Sequence, residues 1–450
     1  MRIVVIGGVA AGMSAASQAK RRDRNAEVIV LERGPHISYS ACGMPYNVGT
    51  PSRALDDLVL LDPETARDKR GVDVRTGHEV LSIDPAAALV HVRSPAGADE
   101  KVRWDRLVIA TGASASRPAL PGLDLPGVFV LRELTDGAAI KAHLAERPVR
   151  SAVVIGAGYI GLEMADALRG LGIEVTVLEK MDRVLPGWAE PICAEAKAEL
   201  VRAGVHVETG VSVERLEREG ETLRVWTDRG HHEAALVLVS IGVRPNAGLA
   251  RGAGIALGAS GAITTDDRMR TNVPSVFAAG DCAEAWHLVR GRPVWIPLGT
   301  TANKQGKVAG ANAAGADERF AGIVGTAGFK LFEHEVARTG IDAAEAARMG
   351  LDAVIAVSHH HTRGRNYPGD GPVLTVVTVE RRTGRLLGAQ MIGGGPVAKR
   401  IDVFATALTA RMTVAEVEGL DLSYAPPFAP VYDPILIAAT VARKAADHPG

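Results

Sequence analysis

The sequence predicts an α/β chain, two parallel-sheet units followed by an α+β domain, on three observations. First, "RIVVIGGVAAGMSAA" near the N-terminus and "SAVVIGAGYIGLEMA" at 151–165 repeat one pattern: a strand-length apolar run, a glycine turn and alanine-rich helical sequence. Second, each is followed by an apolar strand ending in an acid, Glu32 twenty residues after Gly12 and Glu179 eighteen after Gly161. Third, from about residue 328 the pattern shifts to "PVLTVVTVERRTGRLLGAQMIG", alternating around a Thr-Gly turn, which reads as antiparallel strands ahead of helices.

Taken in order, Gly7, Gly8 and Gly12 open the first unit. Such a loop lets a helix N-terminus hold a pyrophosphate while the acid takes ribose hydroxyls, so each unit is expected to be a Rossmann-like dinucleotide-binding domain. Gly156, Gly158 and Gly161 match that loop in full, whereas Val9 occupies the middle glycine position of the first, so close backbone approach must be managed differently there. "LVIATGASASRPALPG" is a strand entering a glycine turn with prolines and marks a crossing between domains near residue 113; "LVLVSIGVRPN" at 236–246 marks the return. "TNVPSVFAAGDCAEA" then adds a strand ending in Gly280 and Asp281. The expected division is 1–113 with 247–327, a discontinuous first domain, 114–246, the second, and 328–450, a C-terminal α+β domain.

Composition narrows the function. The chain has 450 residues, 47% hydrophobic and 23% charged, with 51 basic against 52 acidic side chains and a formal net charge of -1. That balance carries no overall footprint for nucleic acid or an anionic membrane. No run approaches the ~20 uninterrupted apolar residues of a spanning helix, and Met1 leads straight into the first strand with no room for a signal peptide, so a cytoplasmic location is expected. Cys42, Cys193 and Cys282 are odd in number and form no C-x-x-C pair, which argues against a disulfide scaffold or a zinc site and fits a reducing compartment. His359, His360 and His361 would point alternately to the two faces of a strand, so no metal is expected there.

The stretch "SYSACGMPYNVG" at 38–49 puts Cys42 where a helix would begin, with Pro45 in its first turn. A helix N-terminus or a nearby cation lowers a thiol's pKa, and that is the expectation for Cys42.

These motifs, with "ATG" at 110–112, "GAGYIGLE" at 156–163 and "VFAAGD" at 276–281, resemble the pyridine nucleotide-disulfide oxidoreductase superfamily over essentially the full length. The resemblance implies a glutathione reductase-like fold with FAD on the first domain, NAD(P)H on the second and a C-terminal dimerisation domain. It assigns Gly7, Gly8, Gly12, Glu32, Arg33, Ala110, Thr111, Gly112 and Asp281 to FAD, and Gly156, Gly158, Tyr159, Gly161 and Glu179 to the nicotinamide nucleotide. A carboxylate at Glu179 repels a 2'-phosphate and favours NADH, while Lys180 and Arg183 are close enough in sequence to admit NADPH. Tyr159 either covers the flavin when the nucleotide is absent, as the resemblance suggests, or packs between two domains.

No second cysteine follows Cys42 at the spacing of the glutathione reductase branch, and the motif looks like the single-cysteine branch of NADH peroxidases, NADH oxidases and coenzyme A-disulfide or persulfide reductases. Peroxidases and many oxidases of that branch carry a histidine in the first glycine loop, where this chain has Ala10 and Ala11. Coenzyme A-disulfide reductases use two tyrosines of the partner subunit, in motifs matched here by "NYPG", giving Tyr367, and "LSYAPPFAPVYDP", giving Tyr424. Ser14, Gln18 and Arg21 fall on one face of the first helix, and with Ser38 and Arg70 they match positions that line a coenzyme A channel. Ala41 departs from relatives with asparagine there, which removes one substrate hydrogen bond. The expectation is a homodimeric FAD enzyme that uses NAD(P)H to reduce coenzyme A disulfide or persulfide through a Cys42 mixed disulfide. An NADH oxidase or peroxidase working through a sulfenic acid, and a non-catalytic flavin redox sensor, are the alternatives.

Overall fold

The two apolar runs that open the glycine loops are each the central strand of a five-stranded sheet. Arg2–Ile6 lies between Glu27–Glu32 and Arg106–Ile109, with Asp73–Thr76 and Val276–Ala278 at the edges, all parallel. Ser151–Ile155 lies likewise between Glu174–Glu179 and Leu236–Val239, with His206–Thr209 and Val128–Phe129 at the edges, again all parallel. Both central strands are buried on both faces, which is why their sequences run apolar without alternation. The computed structural model describes residues 1–365 and 367–447; Asn366 of the "NYPG" motif and residues 448–450 of the expected third domain lie outside the described residues.

The internal repeat extends further than the glycine loops. Each parallel sheet carries a three-stranded antiparallel meander, Glu79–Asp84, Leu89–Arg93 and Asp99–Arg103 on the first, and Val213–Glu219, Thr222–Thr227 and Gly230–Ala234 on the second. The two crossings pair with each other: Ala113–Ala115 runs antiparallel to Val243–Pro245. Asn246 fastens that joint, its Nδ2 donating to the Thr111 carbonyl at 2.9 Å and its Oδ1 accepting from Ser114 Oγ at 2.8 Å.

The first helix, Ala10–Arg22, crosses the helix Gly299–Ala313 at unusually close range. A Cβ on Gly306 would come within 2.3 Å of the Ala11 carbonyl oxygen, and one on Gly310 within 2.1 Å of that of Ala15. The small residues of both helices therefore bring Asn303 and Lys307 alongside the helix that starts at the first glycine loop.

The C-terminal sheet is fully antiparallel, in the order Ala327–Leu331, His334–Gly340, Leu386–Gly393, Pro372–Glu380, Ala353–His361. The alternation around Thr383 and Gly384 is real, but it separates two cores rather than core from water. Leu374, Val376 and Ile392 enter the core shared with the second parallel sheet, whereas Val373, Val377, Ala389 and Met391 enter the one covered by Val397–Thr409 and Pro434–Asp447. This docks the C-terminal sheet against the second glycine loop. Among the described residues, no helix is long and apolar enough to cross a membrane.

Candidate active site

Each glycine loop is braced by its acid. Glu32 Oε2 accepts from the Gly8 amide and Oε1 from the Gly34 amide, both at 2.7 Å. Glu179 does the same, Oε2 accepting from the Ala157 amide at 2.7 Å and Oε1 from the Met181 amide at 2.8 Å. One hydrogen bond per oxygen leaves a lone pair on each for a ribose hydroxyl, so bracing and ligand binding are compatible. Burial holds the Glu32 carboxyl above its ordinary pKa against the two amides that lower it.

The departure at Val9 has a simple resolution. Val9 (φ -98°) and Gly158 (φ -81°) both have negative φ, so the backbone there does not demand glycine. The demanding positions are retained: a Cβ on Gly12 would lie 1.8 Å from the Gly7 carbonyl oxygen, and one on Gly161 2.1 Å from that of Gly156.

Gly7, Gly8, Glu32, Arg33, Ala110, Thr111 and Gly112 line one cleft, with Gly12 packed beneath the loop. Asp281 reaches this cleft through Arg132, whose Nη2 donates to Asp281 Oδ2 at 2.6 Å while its Nε donates to the Ala113 carbonyl at 2.9 Å. Arg132, absent from the sequence-level candidates, lines both this cleft and the one beside Gly158 and Tyr159. Arg33 pairs with Glu133 at 2.6 Å. The donor set fits FAD: loop amides at a helix N-terminus for the pyrophosphate, a braced carboxylate for the ribose and the partly buried acid Asp281.

In the second cleft, Tyr159 packs on Trp188 (ring centroids 5.9 Å) and on Phe329 of the C-terminal sheet (5.5 Å). It therefore stands between domains and lines the cleft at once. Arg183 is held by Asp182 at 2.7 Å, and Lys180 is exposed.

Cys42 sits in a single turn, Ala41–Gly43, ahead of the five-residue helix Met44–Val48 with Pro45 in its first turn. Ser38, in the left-handed region at φ 45°, ties this segment down: its amide donates to the Gly8 carbonyl at 2.9 Å and its carbonyl accepts from the Leu60 amide at 2.8 Å. The expected lowering of the thiol pKa is not found. Cys42 remains open to solvent on one side, yet partial desolvation in its groove, followed by the charge of Glu163, holds the thiol above its ordinary value, with Arg132 opposing and Asp281 adding to the shift. A helix of one and a half turns has too small a dipole to offset this.

Ser14, Arg21, Ser38 and Arg70 share the groove of Cys42, joined by Asn303 and Lys307, which sequence reasoning missed. Ser14 Oγ donates to Asn303 Oδ1 at 2.8 Å, and Arg70 Nη1 donates to Ser17 Oγ at 3.0 Å. Gln18 stands at the edge, its Oε1 3.5 Å from Arg21 Nη1. Tyr367 and Tyr424 are 38% and 51% exposed and are not in the Cys42 groove of their own chain. His359–His361 end an edge strand of the C-terminal sheet, with His361 Nδ1 2.7 Å from Asp370 Oδ2; among the described residues, no three His, Cys, Asp or Glu side chains gather as a metal site. Cys193 and Cys282 are buried, and burial raises both thiols.

Residues 1–306 match the family model described as pyridine nucleotide-disulphide oxidoreductase, and residues 326–434 match its dimerisation domain. The chain belongs to this family. A relative from Pyrococcus horikoshii named "NAD(P)H coenzyme A polysulfide/persulfide reductase" is 39% identical over 442 residues, 98% of each chain. One from Methanocaldococcus jannaschii named "NADH oxidase" is 33% identical over 445 residues, 99% of each. The solved structure of an NAD-dependent persulfide reductase from A. fulgidus superposes with a TM-score of 0.96 at 38% identity, covering 99% of this chain and 84% of that one. Family membership implies FAD and NAD(P)H as cofactors.

Proposed function

We propose that the protein is an FAD-dependent NAD(P)H oxidoreductase that reduces coenzyme A persulfide or coenzyme A disulfide to the thiol through Cys42. The observation that carries this reading is the groove where one thiol stands beside Arg21, Arg70 and Lys307. Three cations suit a phosphorylated handle, and a lone cysteine suits a substrate that brings its own second sulfur. The names of the Pyrococcus and A. fulgidus proteins point the same way. In this reading residues 1–113 with 247–327 bind FAD, 114–246 bind NAD(P)H, and 328–450 form the interface of a homodimer.

FAD, when bound, relays the two electrons of the nicotinamide hydride to sulfur. The Cys42 thiolate attacks the sulfur attached to coenzyme A, forming a Cys42 mixed disulfide and expelling either hydrosulfide or a second coenzyme A thiolate. Two electrons and one proton then cleave that mixed disulfide, releasing coenzyme A thiol and restoring the Cys42 thiolate. Ser14, Asn303 and Ser17 hydrogen-bond the substrate's arm, while Arg21, Arg70 and Lys307 hold its phosphates. Tyr424 of the partner subunit protonates the leaving thiolate and Tyr367 of the partner subunit orients it. Glu179 favours NADH, and the tie between Arg183 and Asp182 leaves that guanidinium a poorer ligand for a 2'-phosphate.

The NADH oxidase reading has the Methanocaldococcus relative in its favour. Against it, Ala10 lines the Cys42 groove where a peroxide-polarising histidine would be needed. Intact-mass analysis of enzyme treated with coenzyme A disulfide tests the proposal: one coenzyme A adduct on Cys42, absent in Cys42→Ser, is expected. An oxidised Cys42 that carries only oxygen would favour the oxidase.

A further inference from the structure

Arg400, on the helix Val397–Thr409, is a buried guanidinium that touches both segments bearing the exposed tyrosines Tyr367 and Tyr424. Its Nη2 donates to the Thr362 carbonyl at 2.8 Å, on the first residue after the strand Ala353–His361, and to the Phe428 carbonyl at 3.2 Å. Its Nε donates to Asp433 Oδ1 and Oδ2 at 3.2 and 3.0 Å, and Oδ1 also accepts from the Ile435 amide at 3.0 Å where the helix Pro434–Asp447 begins. The two segments meet directly as well. The Gly364 amide donates to the Pro426 carbonyl at 3.1 Å, the Gly364 carbonyl accepts from the Tyr367 amide at 2.9 Å, and a Cβ on Gly364 would stand 3.3 Å from Pro426 Cα. Ile401, Phe404 and Leu408 sink the helix of Arg400 into the C-terminal core, so the guanidinium is anchored where the tyrosine segments are not.

We propose that Arg400 is a positioning residue that fixes Tyr367 and Tyr424 relative to each other, in the arrangement that each chain offers to its partner. What the tyrosines do rests on the function proposed above; where they stand rests on these hydrogen bonds. A buried ion pair costs desolvation that its own attraction seldom exceeds, so an apolar pair of like volume would serve packing equally well. What the guanidinium adds is direction. Its planar fork sets two backbone carbonyls against one carboxylate, a geometry that a lysine ammonium on a flexible stem does not reproduce. The Tyr367 segment, the Tyr424 segment and the start of the last helix are thereby tied to one rigid point. Both rings are exposed, so a shift in either backbone segment passes to its hydroxyl with little packing to correct it. Misplacing a catalytic group by about 1 Å can cost roughly a hundredfold in rate.

FAD-loaded enzyme labelled with 3-fluorotyrosine reads the placement by fluorine NMR without any turnover. The chain has six tyrosines, and Tyr367→Phe and Tyr424→Phe assign the two resonances of interest. Arg400→Lys keeps the charge opposite Asp433 but loses the fork, so both resonances should move or broaden. That of Tyr159, packed on Trp188 and Phe329, should stay. In unlabelled enzyme the same variant should reduce flavin with NADH at the wild-type rate and hold KM for coenzyme A disulfide within about twofold, while kcat falls roughly tenfold. With Tyr367→Phe and Tyr424→Phe already present, Arg400→Lys should cost less than about twofold, because it acts through those rings. Unmoved Tyr367 and Tyr424 resonances overturn the proposal, and so does a tenfold loss that persists without the two hydroxyls. Moved resonances with kcat unchanged in Tyr424→Phe support the placement and contradict instead the acid role given to Tyr424. Should Arg400→Lys not fold, Arg400→Met combined with Asp433→Asn strands no carboxylate, keeps an acceptor for the Ile435 amide and gives the same readings.

Discussion

Arg132 Nη2 donates to Asp281 Oδ2 at 2.6 Å, and this one ion pair joins the segment after Val128–Phe129, the edge strand of the second parallel sheet, to the turn after Val276–Ala278 of the first. Both side chains are less than one-third exposed, so the pair is screened far less than a surface one. Arg132→Met should therefore lower stability by about 2 kcal/mol and weaken FAD retention, because it leaves a carboxylate unpaired where FAD must bind. The checks are a urea unfolding curve and the flavin absorbance that survives gel filtration. The same variant should raise the Cys42 thiol pKa further, since Arg132 is the cation that lowers it.

Glycine positions that look alike in sequence should behave differently. Gly161→Ala would drive a Cβ into the Gly156 carbonyl, and loss of a folded second domain is expected, read by circular dichroism and NADH binding. Gly158→Ala meets nothing within 4 Å in the protein, so its Tm should hold while KM for NADH rises by roughly tenfold, about 1.4 kcal/mol of lost approach.

Arg70→Ala and Lys307→Ala should each raise KM for coenzyme A substrates by roughly tenfold, about 1.4 kcal/mol, with KM for NADH unchanged. Arg70 carries the sharper expectation because its guanidinium is already positioned by Ser17 at 3.0 Å. Steady-state kinetics in both substrates checks this, and the effect should shrink as ionic strength increases.

His287 is fully buried, accepts at Nδ1 from the Val289 and Arg290 amides at 3.2 and 3.3 Å, and is held down to about 3 by burial and then by Arg290 and Arg338. The folded state keeps it neutral while the unfolded chain takes a proton below its ordinary 6.5, so stability is fully present above that pH and falls as pH drops toward about 3. The contribution is about 1.4 kcal/mol per pH unit in that window. His287→Gln keeps an acceptor for both amides and does not titrate, so the difference between the two urea-unfolding free energies should stay flat from about pH 7.5 to the ordinary 6.5 and change with that slope from there to about pH 5.

What was legible in the sequence was what is local. The glycine loops and their acids are written within thirty residues of one another, and the central strands announce themselves by unbroken apolar runs. The meanders were not legible, because strands such as "VERLERE" are mostly polar, with only Leu216 fully buried. The Cys42 groove was half legible: Ser14, Arg21, Ser38 and Arg70 came from the motif and its resemblance, while Asn303 and Lys307 depend on a helix crossing set by Gly306 and Gly310. Glu163 stood in plain view in "GAGYIGLE", but its hydrogen-bond partner Tyr46 is 117 residues away and could not be read from that motif. The thiol pKa was expected to fall and instead rises, because burial and then the charge of Glu163 raise it and a five-residue helix has too small a dipole to offset them.

The measurement that tests the account most directly is anaerobic NADH consumption by the FAD-loaded enzyme and by Cys42→Ser, with kcat/KM compared for coenzyme A persulfide, coenzyme A disulfide and glutathione disulfide, and oxygen then supplied alone. Fast turnover should be confined to the coenzyme A substrates and abolished in Cys42→Ser, which still binds FAD and NADH. Full turnover by Cys42→Ser, or rapid consumption with oxygen alone, would contradict it.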